Sequence, residues 1–490
     1  MHLYLRPVRV ASPDPVGLVT GSALSTLGLF AQGLLRFAST WLIAHVAGVE
    51  ATGGYGAAVA VASILSLLWP TSTGAAASKY IARARGSADE GELSAVVAHF
   101  RRRAGLAGAL VALLAVPVWV VVDHGSIFGG LCVAAFTLAY SGYSFVRGVL
   151  FGSGHVGRAT VWDLISSTLG LAALGVFLAV GVRGPALVLP LAAAYGVYTV
   201  AGWPWTLPPA TDLARSLRRE LDRFVLIGAS GTLASTGFLQ LAMVMARSTD
   251  KYQAGQFAAA MQTATPASML AASLSLVLLP SLSESLGSGD DERFRAMADR
   301  ATRGLIVVMV AVFGGLALAS VPVMTLLWPA AFDPRSPIFP ILAMALLASN
   351  SSVAAVNALT ARSTRWMVVT SVASAAGLAV GAVVWWLGVG RWGVVAVAAG
   401  YLVGTVVTNV VPLVVEWRVG HHRWGGLMAG TSVAIGVIVA GTVALHRYSP
   451  NPWVDVVVAV AFVGAWVVAR RGDLRRLGLK VPRQPRHNPD

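Results

Sequence analysis

Charge is what this chain most conspicuously lacks. Only 12% of its 490 residues are Asp, Glu, Lys or Arg, and acidic residues number 21. Soluble domains carry about a quarter, so a water-covered globule of this length is excluded. Cysteine is reduced to Cys132, which excludes an internal disulfide. Lysine is almost missing, 3 against 33 arginines, and with abundant Ala, Gly and Val this fits a high-GC bacterium. No G-x-x-x-x-G-K-[ST] run occurs, so P-loop nucleotide chemistry is excluded. No His/Cys/Asp/Glu set has metal-ligand spacing. His421-His422 is an isolated pair in a charged loop and reads as topology charge. No catalytic constellation, metal site or bound cofactor is expected.

What the chain has instead is apolar length. Hydrophobic residues make up 56% and mean hydropathy is +0.72. A spanning helix needs about 20 apolar residues, and a barrel strand about 10 that alternate. The runs here are continuous, so the fold class is an all-α polytopic membrane protein. Fourteen helices are predicted, at 17–46, 55–78, 104–122, 127–150, 159–181, 185–207, 223–246, 254–281, 304–328, 337–360, 366–388, 393–415, 425–445 and 453–470. Arg6 and Arg9 precede the first run as in a signal peptide. That run is too long for one and lacks a convincing cleavage site, so it reads as a retained span.

Alternate connections test this count. One set, with its boundary residues Arg223 and Arg470, holds 28 of the 36 Lys and Arg; the other holds six, namely Arg183, Arg247, Lys251, Arg335, Arg391 and Arg447. Cytoplasmic loops are the Lys/Arg-rich ones, so both termini are cytoplasmic. The net charge of +15 is therefore a topology signal, and no nucleic-acid partner is expected. Asp123-His124-Gly125-Ser126 is a whole outer loop. The largest inner connections are 79–103 and 282–303. Glu92 to Arg103 reads as an amphipathic surface helix there, with Arg101-Arg102-Arg103 anchoring topology.

The chain also repeats itself. Gly53-Gly54-Tyr55-Gly56-Ala57-Ala58 is echoed by Gly255-Gln256-Phe257-Ala258-Ala259, Arg158 by Arg365, and Tyr195 with Thr199 by Tyr401 with Thr405. Two six-helix lobes, 17–207 and 223–415, are expected. They would be related by a pseudo-two-fold along the membrane normal, because six passes preserve orientation. A tail 1–16, an inter-lobe linker 208–222, two extra helices within 416–470 and a basic tail 471–490 complete the organisation. Two bundles facing each other is a transporter architecture.

Gly48-Val49-Glu50 leading into Gly53-Gly54-Tyr55, its echo Ala254-Gly255-Gln256-Phe257-Ala258, Leu279-Pro280-Ser281-Leu282-Ser283, and the run Arg147-Gly148-Val149-Leu150-Phe151-Gly152-Ser153-Gly154 carry a resemblance. Over residues 16–415 the chain resembles the polysaccharide-flippase branch of the multidrug/oligosaccharidyl-lipid/polysaccharide (MOP) exporter superfamily. The resemblance implies a V-shaped two-lobed bundle working by alternating access, a transporter and not an enzyme. It also implies a cargo: an undecaprenyl-diphosphate-linked sugar moved from the cytoplasmic to the outer leaflet of the bacterial cytoplasmic membrane. Membrane lipids, glycosyltransferases and a polysaccharide polymerase are the partners that go with such a role.

A diphosphate calls for cations, and Arg meets it with a planar fork of donors. Ser25, Gly28, Gln32, Arg36 and Ser39 form one polar stripe on the first helix. Arg36 is the leading substrate-binding candidate, with Gln32 one turn away. The competing use of Arg36 is snorkelling to an interface or bonding a neighbouring helix. Helix seven carries Thr232, Thr236, Gln240 and Arg247. The repeat sets Arg247 opposite His45, two basic groups at the outer mouth, unless Arg247 pairs with Asp250. Arg147, Arg158 and Asp163 gather at the inner ends of helices four and five as an ion pair or a gate. Asn350, Asn357 and Asn409 line a glycan path or hydrogen-bond between helices. Asp163 and Asp455, both near helix ends, are the membrane carboxylates expected. An interior so poor in acid favours an anionic cargo over the cationic cargo of a drug antiporter. A peptidoglycan lipid-precursor flippase and a drug or cation antiporter remain alternatives. Coupling to H+, Na+ or the membrane potential is left open.

Overall fold

A computed structural model describes residues 18–86, 90–206, 212–287, 289–449 and 451–476. The tail 1–16, residues 208–211 of the expected linker and residues 477–490 of the basic tail lie outside the described residues. The described chain is helical, with no strand among the described residues. In order the helices are α1 (Leu18–Ala47), α2 (Val49–Leu68), α3 (Pro70–Gly86), α4 (Glu90–Asp123), α5 (Ile127–Gly152), α6 (Val156–Ala179), α7 (Leu189–Gly202), α8 (Arg215–Thr249), α9 (Lys251–Gly287), α10 (Asp291–Leu318), α11 (Ser320–Leu327), α12 (Ile338–Ser351), α13 (Val353–Arg362), α14 (Thr364–Val419), α15 (Gly425–Tyr448), α16 (Pro452–Ala469) and α17 (Arg471–Arg476). A 3-10 turn, Gly184–Val188, leads into α7.

Helices are the expected solution. Hydrocarbon offers no partner for a backbone N–H or C=O, so each must be satisfied inside its own segment. Among the described residues, twelve helical stretches are long and apolar enough to cross a membrane. One of them, in α14, is folded at Gly393, where φ is 54 and the chain makes two passes. With α9 counted as well, this agrees with about fourteen spans. Three spans are broken where the sequence reads as continuous: at Trp69 between α2 and α3, at Ala319 between α10 and α11, and at Ser352 between α12 and α13. The expected surface helix at Glu92–Arg103 is not separate. It runs unbroken into the next span as α4, because nothing between Arg103 and Ala104 stops a helix.

The described residues form two compact units. One comprises the chain up to Thr263 together with Trp328–Ala331 and Trp386–Val397; the other comprises Ala264–Leu327, Phe332–Trp385 and the chain from Ala398. The division in packing thus falls inside α9 and not at the 208–222 linker. The physical reason lies in the first unit, where α8 packs along α2 and α3. The N-terminal part of α9 packs on α2 as well: a Cβ on Gly53 would sit 2.7 Å from the Gly255 nitrogen, and one on Gly255 would strike the Val49 carbonyl. Only glycine lets two backbones approach so closely.

In the second unit, α10 is the central helix, packed by α12, α13, α15 and α16. Its N-terminal half carries part of an ionic network. Arg362 grips the fully buried Glu416 with Nε at 3.2 Å and Nη2 at 3.0 Å. His422 Nε2 lies 3.2 Å from the same carboxylate. Arg303 holds Asp299 and Asp473 and donates to the Arg423 carbonyl. His422 is therefore not a bare loop charge. It is stacked on Trp424 inside this network, where the turn Gly420–Trp424 brings it under Glu416.

Glycine also sets the crossing of α3 and α5. A Cβ on Gly148 would collide with the Gly74 carbonyl, and one on Gly74 with the Ser144 carbonyl. Gly148→Ala is expected to lose about 1–3 kcal/mol of stability through overpacking, read as denaturant unfolding in detergent. Gly105→Ala, which meets nothing within 4 Å, should be silent. Equal stability of the two variants would disprove the tight crossing.

Candidate functional site

The polar stripe of α1 faces inward. Ser25, Gln32 and Ser39 are buried, whereas Leu27, Phe30 and Leu34 on the other side are exposed. This is the reverse of a soluble amphipathic helix, and it is what a lipid-facing rod with a polar seam requires. The seam meets α6, where Asp163, Ser166, Ser167 and Gly170 share a face at helical spacing. α5 adds Tyr140, Tyr143 and Arg147, and α7 adds Tyr195 and Tyr198, again three or four apart.

Asp163 is the hub. Its side chain is 1% exposed. Gln32 Nε2 donates to its Oδ1 at 3.1 Å and to Ser167 Oγ at 3.2 Å. The Tyr143 hydroxyl donates to the same Oδ1 at 3.2 Å. Arg147 Nε stands 3.5 Å from Oδ2. Gly28 makes the room, since a Cβ there would lie 2.6 Å from Oδ2. One turn further along α1, Arg36 Nε donates to the Tyr195 hydroxyl at 3.2 Å, and its guanidinium lies 5.2 Å above the Tyr140 ring. Tyr143 packs on Tyr195 and Tyr198 with centroids 4.6 and 4.7 Å apart. The cluster holds two guanidiniums against one carboxylate. It also keeps open hydrogen-bonding groups: Arg147 Nη2, Tyr198 Oη and Gln32 Oε1 are buried with no hydrogen-bond partner. Such atoms are a net-cationic set of contacts for a polar, anionic group.

The structure therefore brings together Arg36, Gln32, Arg147 and Asp163 out of the sequence candidates. Arg158 is buried and donates to the Ala201 carbonyl at 3.5 Å. His45 is exposed, bonds the Trp41 carbonyl through Nδ1 at 2.9 Å and stacks on Trp41. Arg247 has Asp123, not Asp250, as its ion-pair partner. It is buried against Asp123, with Nη2–Oδ1 at 2.6 Å and Nε–Oδ1 at 2.8 Å, and it donates to the Glu50 and Lys251 carbonyls. Asp123 closes α4 and so points back at α8, where a loop of four residues was expected. Gln240 is half-buried on α8, its Oε1 without a hydrogen-bond partner.

The amides of the second unit are spent between helices. Asn350 Nδ2 donates to Ser268 Oγ at 3.1 Å, and Asn357 Nδ2 to Ser275 Oγ at 2.7 Å. The two pairs share one spacing, so α9 is joined to α12 and α13 by a two-rung ladder. Asn409 Oδ1 accepts from Ser352.

Two expectations need correcting. Asp163 is not at a helix margin but two turns into α6, and Asp123 and Glu416 are buried too. The interior is richer in carboxylate than the apolar runs imply, because both extra acids sit at helix ends where the hydropathy pattern breaks. The four tyrosines of the cluster were missed as site residues. Their i, i+3 spacing on α5 and α7 was the available signal.

The Arg247–Asp123 pair is a buried ion pair between α4 and α8. Removing one partner strands the other, at a cost of about 3–5 kcal/mol. Asp123→Asn and Arg247→Gln should each destabilise the protein in chemical unfolding. The double variant should lose less than the sum of the two. Strict additivity would show that the two groups do not interact.

No curated protein sequence matches this chain. Residues 225–336 match the family model described as "Lipid II flippase MurJ". Among solved structures, lipid II flippase MurJ in an inward closed conformation aligns with a TM-score of 0.69 at 13% identity, covering 92% of this chain and 100% of its own. An inward-facing multidrug resistance MATE family transporter of the MOP superfamily aligns with a TM-score of 0.66 at 15% identity, covering 81% and 98%. A MOP superfamily transporter from Pyrococcus furiosus aligns with a TM-score of 0.56 at 16% identity, covering 85% and 99%. With its apolar helices and these likenesses together, the chain is a multi-pass membrane protein that shares the fold of these MurJ and MATE structures.

Proposed function

We propose that this protein flips a polyprenyl-diphosphate-linked oligosaccharide from the cytoplasmic to the outer leaflet of a bacterial cytoplasmic membrane, for cell-surface polysaccharide synthesis. The observation that carries this reading is the net-positive cluster of Arg36 and Arg147 around the single Asp163, with Arg147 Nη2 and Tyr198 Oη unpartnered. Charge inside a membrane is costly and marks a cargo path, and here its sign suits a diphosphate. Arg36 would grip the phosphate, and the tyrosines would meet sugar hydroxyls. Glycosyltransferases would supply the cargo and a polymerase would consume it. Asp163, the carboxylate of the cluster, is where a proton or sodium gradient would enter; flipping with each gradient or the membrane potential collapsed tests that coupling.

Two other cargoes are favoured by particular observations. The match over residues 225–336 favours a peptidoglycan lipid precursor, which offers the same diphosphate handle. The buried Asp163 favours an organic cation exchanged by an antiporter.

Reconstituted vesicles decide between them. Wild-type protein is expected to flip a fluorescent polyprenyl-diphosphate oligosaccharide. Arg36→Ala should lose at least about tenfold in rate, the scale of one charged hydrogen bond, while Arg36→Lys keeps part of it. A preference for the peptidoglycan precursor would move the assignment to that cargo. Transport of an organic cation without lipid flipping would refute the reading. Equal rates in wild type and both well-folded Arg36 variants would remove Arg36 from the cargo path.

A further inference from the structure

The two arginines of the first-unit cluster are answered differently. Arg147 has a carboxylate beside it, with Nε 3.5 Å from Asp163 Oδ2. Arg36 has phenols only. Its Nε donates to the Tyr195 hydroxyl at 3.2 Å, and its guanidinium lies 5.2 Å above the Tyr140 ring. Among the described residues no carboxylate comes within 4 Å of it. A cation in a membrane helix without a counter-ion is costly and marks a binding site. This one is half-buried and not sealed.

Tyr195, by contrast, is fixed. It is 1% exposed. The rings of Phe136, Tyr140 and Tyr143 pack on it with centroids 5.9, 5.2 and 4.6 Å away. Those three residues share one face of α5 by helical spacing. A hydroxyl held this way cannot follow the long arginine side chain, so Arg36 takes its place from Tyr195. With Nε–H engaged, the edge of the guanidinium that contains Nε is closed to a ligand. The edge made by Nη1 and Nη2 is the one left for an oxyanion. Restricting Arg36 beforehand also lowers the entropy lost when a ligand binds. The second unit does not repeat the arrangement. Tyr401, the echo of Tyr195, is hydrogen-bonded by Thr405, and α8, the counterpart of α1, carries no arginine between Arg223 and Arg247.

We propose that Tyr195 is the positioning residue of the anion site: it holds Arg36 by Nε so that the Nη1–Nη2 edge meets two oxygens of one cargo phosphate end-on. This rests on the diphosphate-cargo reading above and divides the labour between the two arginines. Arg36 takes the phosphate, while Arg147 stays with Asp163. Tyr195 is sealed from the cargo and acts only through Arg36.

Binding of undecaprenyl diphosphate and of undecaprenol to the purified full chain in nanodiscs tests this role, because the two lipids differ only in the phosphates. Wild type is expected to prefer the diphosphate by at least about tenfold. Tyr195→Phe keeps the ring and removes the hydroxyl. It should weaken diphosphate binding about three- to tenfold and leave undecaprenol binding unchanged. Introduced on top of Arg36→Ala, the same change should cost nothing further. Tyr401→Phe, the same change at the echo position, should bind both lipids as wild type does. Equal losses for both lipids in Tyr195→Phe, or the same loss with and without Arg36, would mark a merely structural tyrosine and overturn the proposal. A wild-type preference that Tyr195→Phe leaves intact would overturn it too, with the cargo reading still standing. No preference in wild type would refute the cargo reading and the role of Tyr195 together. NMR of the chain labelled with 15N-arginine checks the contact itself, the Arg36 Nε–H signal being the one absent from Arg36→Ala. Slow solvent exchange in wild type and fast exchange in Tyr195→Phe are expected; equal exchange in both would overturn the proposal.

Discussion

A carboxylate inside a membrane protein must be answered by its neighbours, and the candidate site of the first unit is built around that demand. Asp163 is nearly sealed from solvent, so its charge needs a cation and several donors within reach. Gln32, Tyr143 and Arg147 provide them from α1 and α5. Gly28 leaves the gap that lets the carboxylate approach α1. Once these groups are placed, Arg36 and the remaining tyrosines follow, because they stand on the same helical faces. A single acid thus ties three helices into one polar seam while leaving a surplus of positive charge.

The same economy of polar contacts recurs elsewhere. Arg247 answers Asp123 and collects two backbone carbonyls besides, which joins the ends of α2, α4, α8 and α9. In the second unit, Glu416 is held by Arg362 and His422, and Arg303 links Asp299 to Asp473. These networks sit at helix ends, where carbonyls and loop backbone are available as further partners. Within the spans the joints are neutral: Asn–Ser rungs from α9 to α12 and α13, and glycines that bring backbones together. Association of helices in lipid gains little from hydrophobic burial, so packing and polar pairing must do that work.

This division bears on transport. Neutral, shape-matched joints within the spans and charged pairs at helix ends hold each unit together, while the cluster of α1, α5, α6 and α7 keeps open donors, where the proposed cargo would place its phosphate. A two-to-one excess of guanidinium over carboxylate distinguishes such a site from one built for a cation.

Much of this was legible in the sequence, for reasons of length and charge. Apolar runs of about 20 residues with short polar breaks leave helices as the only economical solution, and the loop bias of Arg sets their direction. The stripe Gln32 and Arg36 was visible because helical spacing alone puts residues on one face. Partners across the fold were not. Nothing in the local pattern says that Arg247 meets Asp123 rather than Asp250, that Asp163 gathers Gln32 and Tyr143, or that His422 lies beneath Glu416. Two of these four pairings, Arg247–Asp123 and Asp163–Gln32, join residues more than 120 positions apart, and all four depend on which groups packing brings face to face. Composition, spans and the polar face of α1 were determined by the sequence by itself, since each follows from hydration and helical period. Which charges pair, where the packing divides and which tyrosines enclose Arg36 were decided only by tertiary structure, because a buried charge takes the partner that packing brings within about 3 Å.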